Sequence, residues 1–280
     1  MRTITRRTLL GGGAVAAVGA GALAAGEKER GKRWLHAAGV IHGPDLTPPD
    51  VDVAVSQRQL ASTHLRRTVD WAISRPAARP EAVVVCLHGR NADHRFAFDT
   101  IGLHRFVAAD RLPWAVVAVD GGDASYWHAR ADGTDAEAMV LDELLPAVHD
   151  EIGAAKVLLL GWSMGGYGAL LAAADHADSV AAIAASSPAM WPSFAQAAPG
   201  AFDDEADFRA HDVFDRVGAL GRLPVRIDCG DEDPFIGTDR ALAARLPRSE
   251  HVYGSGYHEA GTWRSRVPGQ LAFFRRAVAG

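Results

Sequence analysis

Hydrophobic residues along this chain gather in short runs that end in glycine or in polar residues. Such runs are typical of strands that are buried on both faces of a sheet. They lie at Glu81–Leu87, Pro113–Val119, Val157–Leu160, Val180–Ala185, Pro224–Cys229 and His251–Tyr253. Before them, Gln59–Ser74 alternates partly between apolar and polar positions, which predicts strands at the edge of the same sheet.

Between these strands, apolar residues recur at helical spacing. The predicted helices are Phe96–Ala109, Asp135–Ile152, Asp239–Leu246 and Gly269–Ala279, with one more after Gly165. Strands that alternate with helices predict an α/β fold, with a mostly parallel central sheet and helices on both faces. Residues 189–221 show no strand pattern. We expect them to form helices and loops over the carboxyl edge of the sheet, as a candidate cap insertion.

The stretch around Ser163 carries the clearest chemical signal. Gly161-Trp162-Ser163-Met164-Gly165 follows an apolar strand and leads into a helix rich in alanine and leucine. Strand, G-x-S-x-G and helix together are the context of a nucleophile elbow, in which a sharp turn exposes the serine hydroxyl. Glycines two residues before and after the serine let the two backbones approach closely. Ser163 is therefore the predicted nucleophile.

A serine nucleophile needs a base and a carboxylate that orients the base. After an elbow of this kind, the acid and then the histidine follow the serine along the chain. His258 ends a Gly-Ser-Gly-Tyr-His loop after the last strand, and it is the predicted base. Acidic residues follow the strand Pro224–Cys229. Asp233, directly before Pro234, is the predicted orienting acid, and Asp231 is the alternative.

The negative charge that develops on the substrate needs two N–H donors, which form an oxyanion hole. The backbone N–H of Met164, in the first turn of the helix, is one candidate. The second is expected from the loop after the first buried strand, where His88-Gly89-Arg90 is suitably placed. The Arg90 N–H is the candidate there, and His88 is expected to shape the loop rather than to act as the base.

The first 25 residues are similar to an export signal. Thr5-Arg6-Arg7-Thr8-Leu9-Leu10 resembles the twin-arginine motif, and Ala22-Leu23-Ala24 fits an A-x-A cleavage site after a weakly apolar stretch. We expect residues 1–25 to be a twin-arginine signal peptide that the twin-arginine translocation machinery reads, so that the protein is exported. Residues 26–58 are expected to be a linker or a surface-lying segment, and residues 59–280 a catalytic domain.

Composition narrows the possible partners. The formal net charge is −5, and no run of lysine or arginine interleaves with aromatic residues, so nothing indicates a nucleic-acid partner. No H-E-x-x-H, C-x-x-C or phosphate-loop motif occurs, and we expect neither a metal nor a cofactor. Cys86 and Cys229 would lie roughly 14 Å apart across two intervening strands, too far for a disulfide. Both are expected to be buried free thiols.

Together these motifs resemble the putative esterase family of the α/β-hydrolases, which includes esterase D, S-formylglutathione hydrolase and the exported mycolyltransferases. The resemblance rests on Gly161–Leu170, His88-Gly89, Ser187-Pro188, Gly230–Phe235 and Tyr257-His258. It implies an α/β-hydrolase fold and the hydrolysis of carboxylic esters or thioesters, or acyl transfer, without a cofactor. It also implies that Ser163, Asp233 and His258 are the nucleophile, acid and base.

The sequence thus predicts an exported serine esterase that cleaves a small-molecule or lipid ester through an acyl-enzyme on Ser163. One alternative is an acyltransferase that uses the same triad with an alcohol acceptor. A weaker alternative is a non-catalytic binding protein on a hydrolase scaffold. Trp127, Trp162 and Trp191 are candidates for the substrate pocket, although tryptophan is usually well buried and packs equally well in a core.

Overall fold

The computed structural model describes residues 31–32, 34–36, 38–153 and 155–279. The chain divides into two compact units, residues 1–42 and residues 43–280. The described part of the first unit contains helical residues at 31–32 and 34–36. Among the described residues, no helix is both long enough and apolar enough to cross a membrane. The predicted signal peptide lies outside the described residues.

A central sheet of eight strands forms the second unit. The strands are β1 Ser56–Ser62, β2 Arg67–Ser74, β3 Ala82–Leu87, β4 Trp114–Val119, β5 Lys156–Trp162, β6 Ala182–Ser186, β7 Val225–Gly230 and β8 Glu250–Gly254. Their order is β1-β2-β4-β3-β5-β6-β7-β8. Strands β3 to β8 are parallel, while β1 and β2 form an antiparallel edge next to β4. The predicted mostly parallel sheet and its edge strands are confirmed.

Helices cover both faces of this sheet. Among the described residues of this unit, the α-helices of four or more residues are α1 Leu103–Ala109, α2 Leu145–Ile152, α3 Met164–Asp175, α4 Glu205–Ala210, α5 Val217–Leu220, α6 Ile236–Arg245 and α7 Ala260–Ala279. Because side chains alternate along a strand, Val83 and Val84 of β3 point to opposite faces. Val83 belongs to the core that α2 and α3 cover, and Val84 to the core that α1 and α7 cover.

The two cysteines lie where the sheet order predicts. Strands β5 and β6 separate Cys86 on β3 from Cys229 on β7. Both thiols are buried and free, as expected. Burial raises the pKa of both thiols above their usual value, so neither is a thiolate at neutral pH.

The segment Phe96–Ala109 is not one helix, contrary to the prediction. Gly102 has a φ of 71° and separates a helical turn, Phe96–Thr100, from α1. A Cβ at this glycine would lie 2.7 Å from the Pro48 ring, which packs against the turn. The break is therefore a tertiary feature that helical spacing does not reveal.

Helix α7 begins at Ala260 rather than at Gly269, so Pro268 lies inside it. Proline removes one helical hydrogen bond, and for this reason the sequence pattern favoured a later start. The helix continues through Pro268 because its apolar side is buried against the sheet. Trp263, Val267 and Leu271 form that side at helical spacing.

A buried polar network ties α7 to the sheet. The Gln270 side-chain amide donates to Ser186 Oγ at 2.7 Å and to Asp228 Oδ2 at 2.8 Å. Arg226 donates to the same Asp228 carboxylate, and both side chains are buried. Since buried charges are tolerated only when they are paired and hydrogen-bonded, this network restricts where α7 can sit.

Strand β5 and helix α3 meet without room for side chains at the turn between them. A Cβ at Gly161 would overlap the carbonyl oxygen of Gly165. A Cβ at Gly165 would overlap the carbonyl oxygen of Leu87, at the end of β3. Backbone packing thus requires both glycines of the elbow: Gly161 lies against the first turn of α3, and Gly165 lies against the end of β3.

Gly165→Ala is therefore expected to prevent correct folding, or to lower the free energy of unfolding by several kcal/mol, because backbone must move to admit the methyl group. Urea unfolding followed by circular dichroism measures this change. Gly218→Ala is the matched control, since a Cβ there meets nothing within 4 Å. The control should be neutral or more stable by about 0.5–1 kcal/mol. Equal stability of the two variants would contradict the packing argument.

Candidate active site

Ser163 lies at the tip of the turn between β5 and α3, with a φ of 55° and a ψ of −117°. This left-handed backbone conformation is costly for a residue other than glycine and persists only where surrounding contacts hold it. Here the Ser163 N–H donates to the Ser186 carbonyl oxygen at 2.9 Å. The Ser163 carbonyl oxygen accepts from the N–H groups of Tyr167 and Ala189, each at 3.0 Å. The turn thereby directs the serine hydroxyl away from the sheet edge.

His258 connects this serine to a buried carboxylate. Its Nε2 lies 2.8 Å from Ser163 Oγ, and its Nδ1 lies 2.9 Å from Asp233 Oδ2. A carboxylate only accepts hydrogen bonds, so Nδ1 carries the proton and donates it to Asp233. Nε2 of the neutral ring is then the acceptor for the serine hydroxyl. The structure brings together the three residues predicted as nucleophile, base and acid.

The acids after β7 have different environments. Asp233 is fully buried, and its Oδ1 accepts from the Phe235 N–H at 2.9 Å. Asp231 is exposed and forms an ion pair with Arg240 at 2.7 Å. Of the two candidates for the orienting acid, only Asp233 faces His258.

Aromatic rings flank the imidazole of His258. Phe235 lies 5.3 Å and Trp263 5.0 Å from its ring centroid, both in edge-on arrangements. Trp263 Nε1 donates to Ser187 Oγ at 3.0 Å, which holds the indole in place. Sequence reasoning missed Trp263 because it placed this residue before the last helix. The helical spacing of Trp263 with Val267 was the signal that would have found it.

Met164 and the loop that carries Arg90 both lie next to Ser163. Met164 is the first residue of α3, where backbone N–H groups have no partner within the helix. The loop after β3 passes directly beside the serine, since a Cβ at Gly89 would lie 3.5 Å from Ser163 Cβ. Arg90 follows in that loop, and its guanidinium donates to the Pro199 carbonyl oxygen at 3.0 Å.

His88 supports the shape of this loop. Its Nε2 accepts from the Gly121 N–H at 3.0 Å, so its Nδ1 carries the proton and donates to the Gly89 carbonyl oxygen at 2.8 Å. Burial lowers the pKa of the His88 imidazole, which keeps it neutral. Trp127 adds a further anchor, because its Nε1 donates to the His88 carbonyl oxygen at 3.2 Å.

The three tryptophans proposed for the pocket separate into two groups, which corrects the prediction for two of them. Trp162 is fully buried and packs on Phe96, because the last position of β5 points to the opposite face of the sheet from the helix α3. Trp127 is also buried, and its indole N–H holds the loop after β3. Trp191 is only half-buried and lines a cavity.

That cavity has a volume of about 780 Å³, and its lining includes Pro234 and Phe235, the two residues that follow Asp233. Its aromatic walls are Trp191, Phe214 and Phe235. Phe235 also contacts His258, whereas Ser163, Asp233 and His258 themselves do not line the cavity. Residues 190–215 contribute much of the lining, within the segment predicted as a cap insertion.

A second polar cluster lies away from Ser163. Ring nitrogens of His128 and His211 and a carboxylate oxygen of Asp207 lie within 4.8 Å of one another. His128 Nδ1 already faces the Ala129 carbonyl oxygen at 2.9 Å, and His211 Nδ1 faces Asp207 Oδ1 at 2.8 Å. The two rings stack at 4.3 Å between centroids, so their nitrogen lone pairs do not converge on one point. The geometry suits a hydrogen-bonded cluster better than a set of metal ligands.

Residues 62–274 match the family model Esterase, described as "Putative esterase". This span includes Ser163, Asp233 and His258. The chain belongs to the Esterase family. It is therefore an esterase, and small-molecule esters are its class of substrate. A comparison with curated proteins gave no match.

Several solved structures share the fold of this Esterase-family chain. A ferulic acid esterase has a TM-score of 0.70 at 20% identity, with 81% of this chain and 98% of that chain covered. An S-formylglutathione hydrolase from Agrobacterium tumefaciens has a TM-score of 0.68 at 18% identity, with 84% and 99% covered. MPT51 of Mycobacterium tuberculosis has a TM-score of 0.65 at 18% identity, with 81% and 99% covered. At these identities, the likeness shows the α/β-hydrolase fold alone.

Asp233→Asn is expected to lower kcat by about 10³–10⁴-fold, because the amide no longer stabilises a cationic imidazole or selects its tautomer. Hydrolysis of p-nitrophenyl acetate measures this effect. Asp231→Asn should stay within about twofold of the wild type, since it removes only an exposed ion pair. A larger loss at Asp231 than at Asp233 would contradict the geometry.

Proposed function

We propose that Ser163 attacks the ester carbonyl and carries the acyl group as a covalent intermediate. The observation that supports this proposal is the pair of hydrogen bonds from Ser163 Oγ through His258 to Asp233, at 2.8 and 2.9 Å. As Oγ forms its bond to the carbonyl carbon, His258 Nε2 takes the hydroxyl proton. The buried Asp233 carboxylate stabilises the resulting imidazolium.

Two half-reactions complete the turnover. The tetrahedral intermediate collapses, the bond to the alcohol oxygen breaks, and His258 gives its proton to the leaving alcohol. A water molecule then gives a proton to His258 while its oxygen attacks the acyl carbon, and Ser163 leaves with that proton. In both steps the N–H groups of Met164 and Arg90 stabilise the oxyanion. One such donor contributes typically about 3 kcal/mol to transition-state stabilisation.

We further propose that the acyl group of the substrate is aromatic or otherwise bulky and apolar, and that it occupies the cavity beside Phe235. The volume of about 780 Å³ exceeds the needs of an acetyl group. Trp191 and Phe214 present rings against which a planar acyl group can pack. The structural neighbour described as a ferulic acid esterase supports the same substrate class.

We also propose that the enzyme is exported from the cell that produces it. The twin-arginine pattern at residues 5–10 and the A-x-A site at residues 22–24 support export of the folded enzyme. Replacement of Arg6 and Arg7 by lysine should retain the enzyme inside the producing cell.

Ser163→Ala is expected to lower kcat for p-nitrophenyl acetate by about 10⁴-fold or more, because no other group supplies the nucleophile. It should also abolish labelling by a fluorophosphonate. Ser193→Ala, which changes an exposed serine near the cavity, is the control and should retain both properties. Full activity of Ser163→Ala would overturn the proposed mechanism.

The acyltransferase alternative makes a different prediction for the products. With glycerol added, an acyltransferase would form mostly acylated glycerol, whereas we expect mostly free acid. Nothing in the site geometry favours an alcohol acceptor over water.

Trp191→Ala is expected to raise KM for ethyl cinnamate by about 10-fold and to leave KM for ethyl acetate unchanged, since an aromatic contact contributes about 0.5–1.5 kcal/mol beyond its buried area. Phe194→Ala removes a more exposed ring outside the cavity lining and should change neither value. Equal changes in KM for the two esters would contradict the proposal that the acyl group binds in this cavity.

A further inference from the structure

Residues 43–55 form an arm that precedes β1 and has no helix or strand of its own. The first residue of this arm contacts the loop that carries the base. The Gly43 N–H donates to Glu259 Oε1 at 2.5 Å, and Glu259 directly follows His258. The contact joins residues far apart in the chain, so it exists only in the folded protein.

Two residues later, the arm is attached to the start of α7. Asp45 accepts two hydrogen bonds from Arg264, Nε to Oδ1 at 2.8 Å and Nη2 to Oδ2 at 2.7 Å. This two-point geometry is the stronger form of a guanidinium–carboxylate pair. Arg264 also donates to the Thr100 carbonyl oxygen, so a single guanidinium links the arm, α7 and the turn before α1.

The fit of the arm against the histidine loop is close. A Cβ at Gly43 would overlap Thr262 Oγ1 and would lie 3.0 Å from Gly256 Cα. A Cβ at Gly261 would lie 3.2 Å from the Asp45 carboxyl carbon. These contacts leave the arm no space to shift toward the loop without moving its backbone.

The loop itself depends on contacts from two sides. On the side of the acid, the Gly256 N–H donates to Glu232 Oε2 at 3.0 Å. On the other side, the Tyr257 N–H donates to Thr262 Oγ1 at 3.1 Å, and Thr262 is the group that Gly43 packs against. His258 directly follows Gly256 and Tyr257, the two residues that these hydrogen bonds hold.

We propose that Gly43 and Asp45 are positioning residues for His258: the arm holds the histidine loop so that Nε2 stays within hydrogen-bonding distance of Ser163. The proposal rests on the function proposed above, in which His258 is the base. Neither Gly43 nor Asp45 lines the cavity proposed for the acyl group, so the loss of either should lower kcat and leave KM unchanged. A displacement of about 1 Å in a catalytic group can cost up to 100-fold in rate.

The test compares Gly43→Ala and Asp45→Ala in the full chain. Gly43→Ala should lower kcat for p-nitrophenyl acetate by about 10-fold. Asp45→Ala should lower it by roughly threefold, as suits the loss of a partly exposed ion pair. KM should not change in either variant. Amide hydrogen exchange across residues 254–262 should become faster in Asp45→Ala, because the loop loses one of its supports.

Asp110→Ala is the matched control. It removes an exposed ion pair between Asp110 and Arg275, near the other end of α7, and should change neither kcat nor the exchange of the loop. Wild-type kcat and loop exchange in both arm variants would overturn the inference. A loss of thermal stability with unchanged kcat per folded molecule would overturn it as well, since the arm would then have a structural role only.

The outcome for the arm can be separated from the outcome for the mechanism. If Ser163→Ala hydrolyses the ester as fast as the wild type, the proposed function fails, and loop exchange still reports whether the arm supports the loop. If Ser163→Ala is inactive while both arm variants behave as the wild type, the inference about the arm fails alone.

Discussion

The left-handed backbone at Ser163 is the constraint on which the rest of the site depends. A serine in this conformation would relax if its neighbours allowed it. Hydrogen bonds to Ser186 and from Ala189 hold it, and the absence of side chains at Gly161 and Gly165 lets β5, α3 and β3 close around the turn. These contacts hold the backbone of the turn, and Ser163 Oγ there lies 2.8 Å from His258 Nε2.

The parallel arrangement of the strands brings Asp233 and His258 to the same edge of the sheet as Ser163. Strands β7 and β8 are neighbours, and the loops at their carboxyl ends carry Asp233 and His258. Backbone hydrogen bonds join these two loops, from the Asp231 N–H to the Gly254 carbonyl oxygen at 2.7 Å and from the Glu232 N–H to the Gly256 carbonyl oxygen at 3.1 Å. The acid and the base are therefore placed relative to each other by main chain before any side chain is considered. Pre-organisation of this kind spares the transition state a reorganisation cost.

The cavity proposed for the acyl group is formed by different parts of the chain from the proposed triad. Ser163, Asp233, His258 and the two candidate donors lie just after the carboxyl ends of sheet strands, whereas the cavity wall comes largely from the short helices and turns between β6 and β7. Phe235 belongs to both, since it contacts His258 and lines the cavity. Under this proposal, substitutions within residues 190–215 would change the cavity without changing the packing of the elbow.

The sequence by itself determined the sheet, the elbow and the chain order of Ser163, Asp233 and His258, because buried strands and G-x-S-x-G turns are local patterns set by hydrophobicity and by glycine. Tertiary structure decided what depends on contacts between distant segments. It placed the buried Asp233, and not the exposed Asp231, against His258. It carried α7 through Pro268, and it turned Trp162 into the core while leaving Trp191 at the cavity. These outcomes depend on which side of a helix, strand or loop packs against another part of the fold. A local pattern in the sequence does not contain that information.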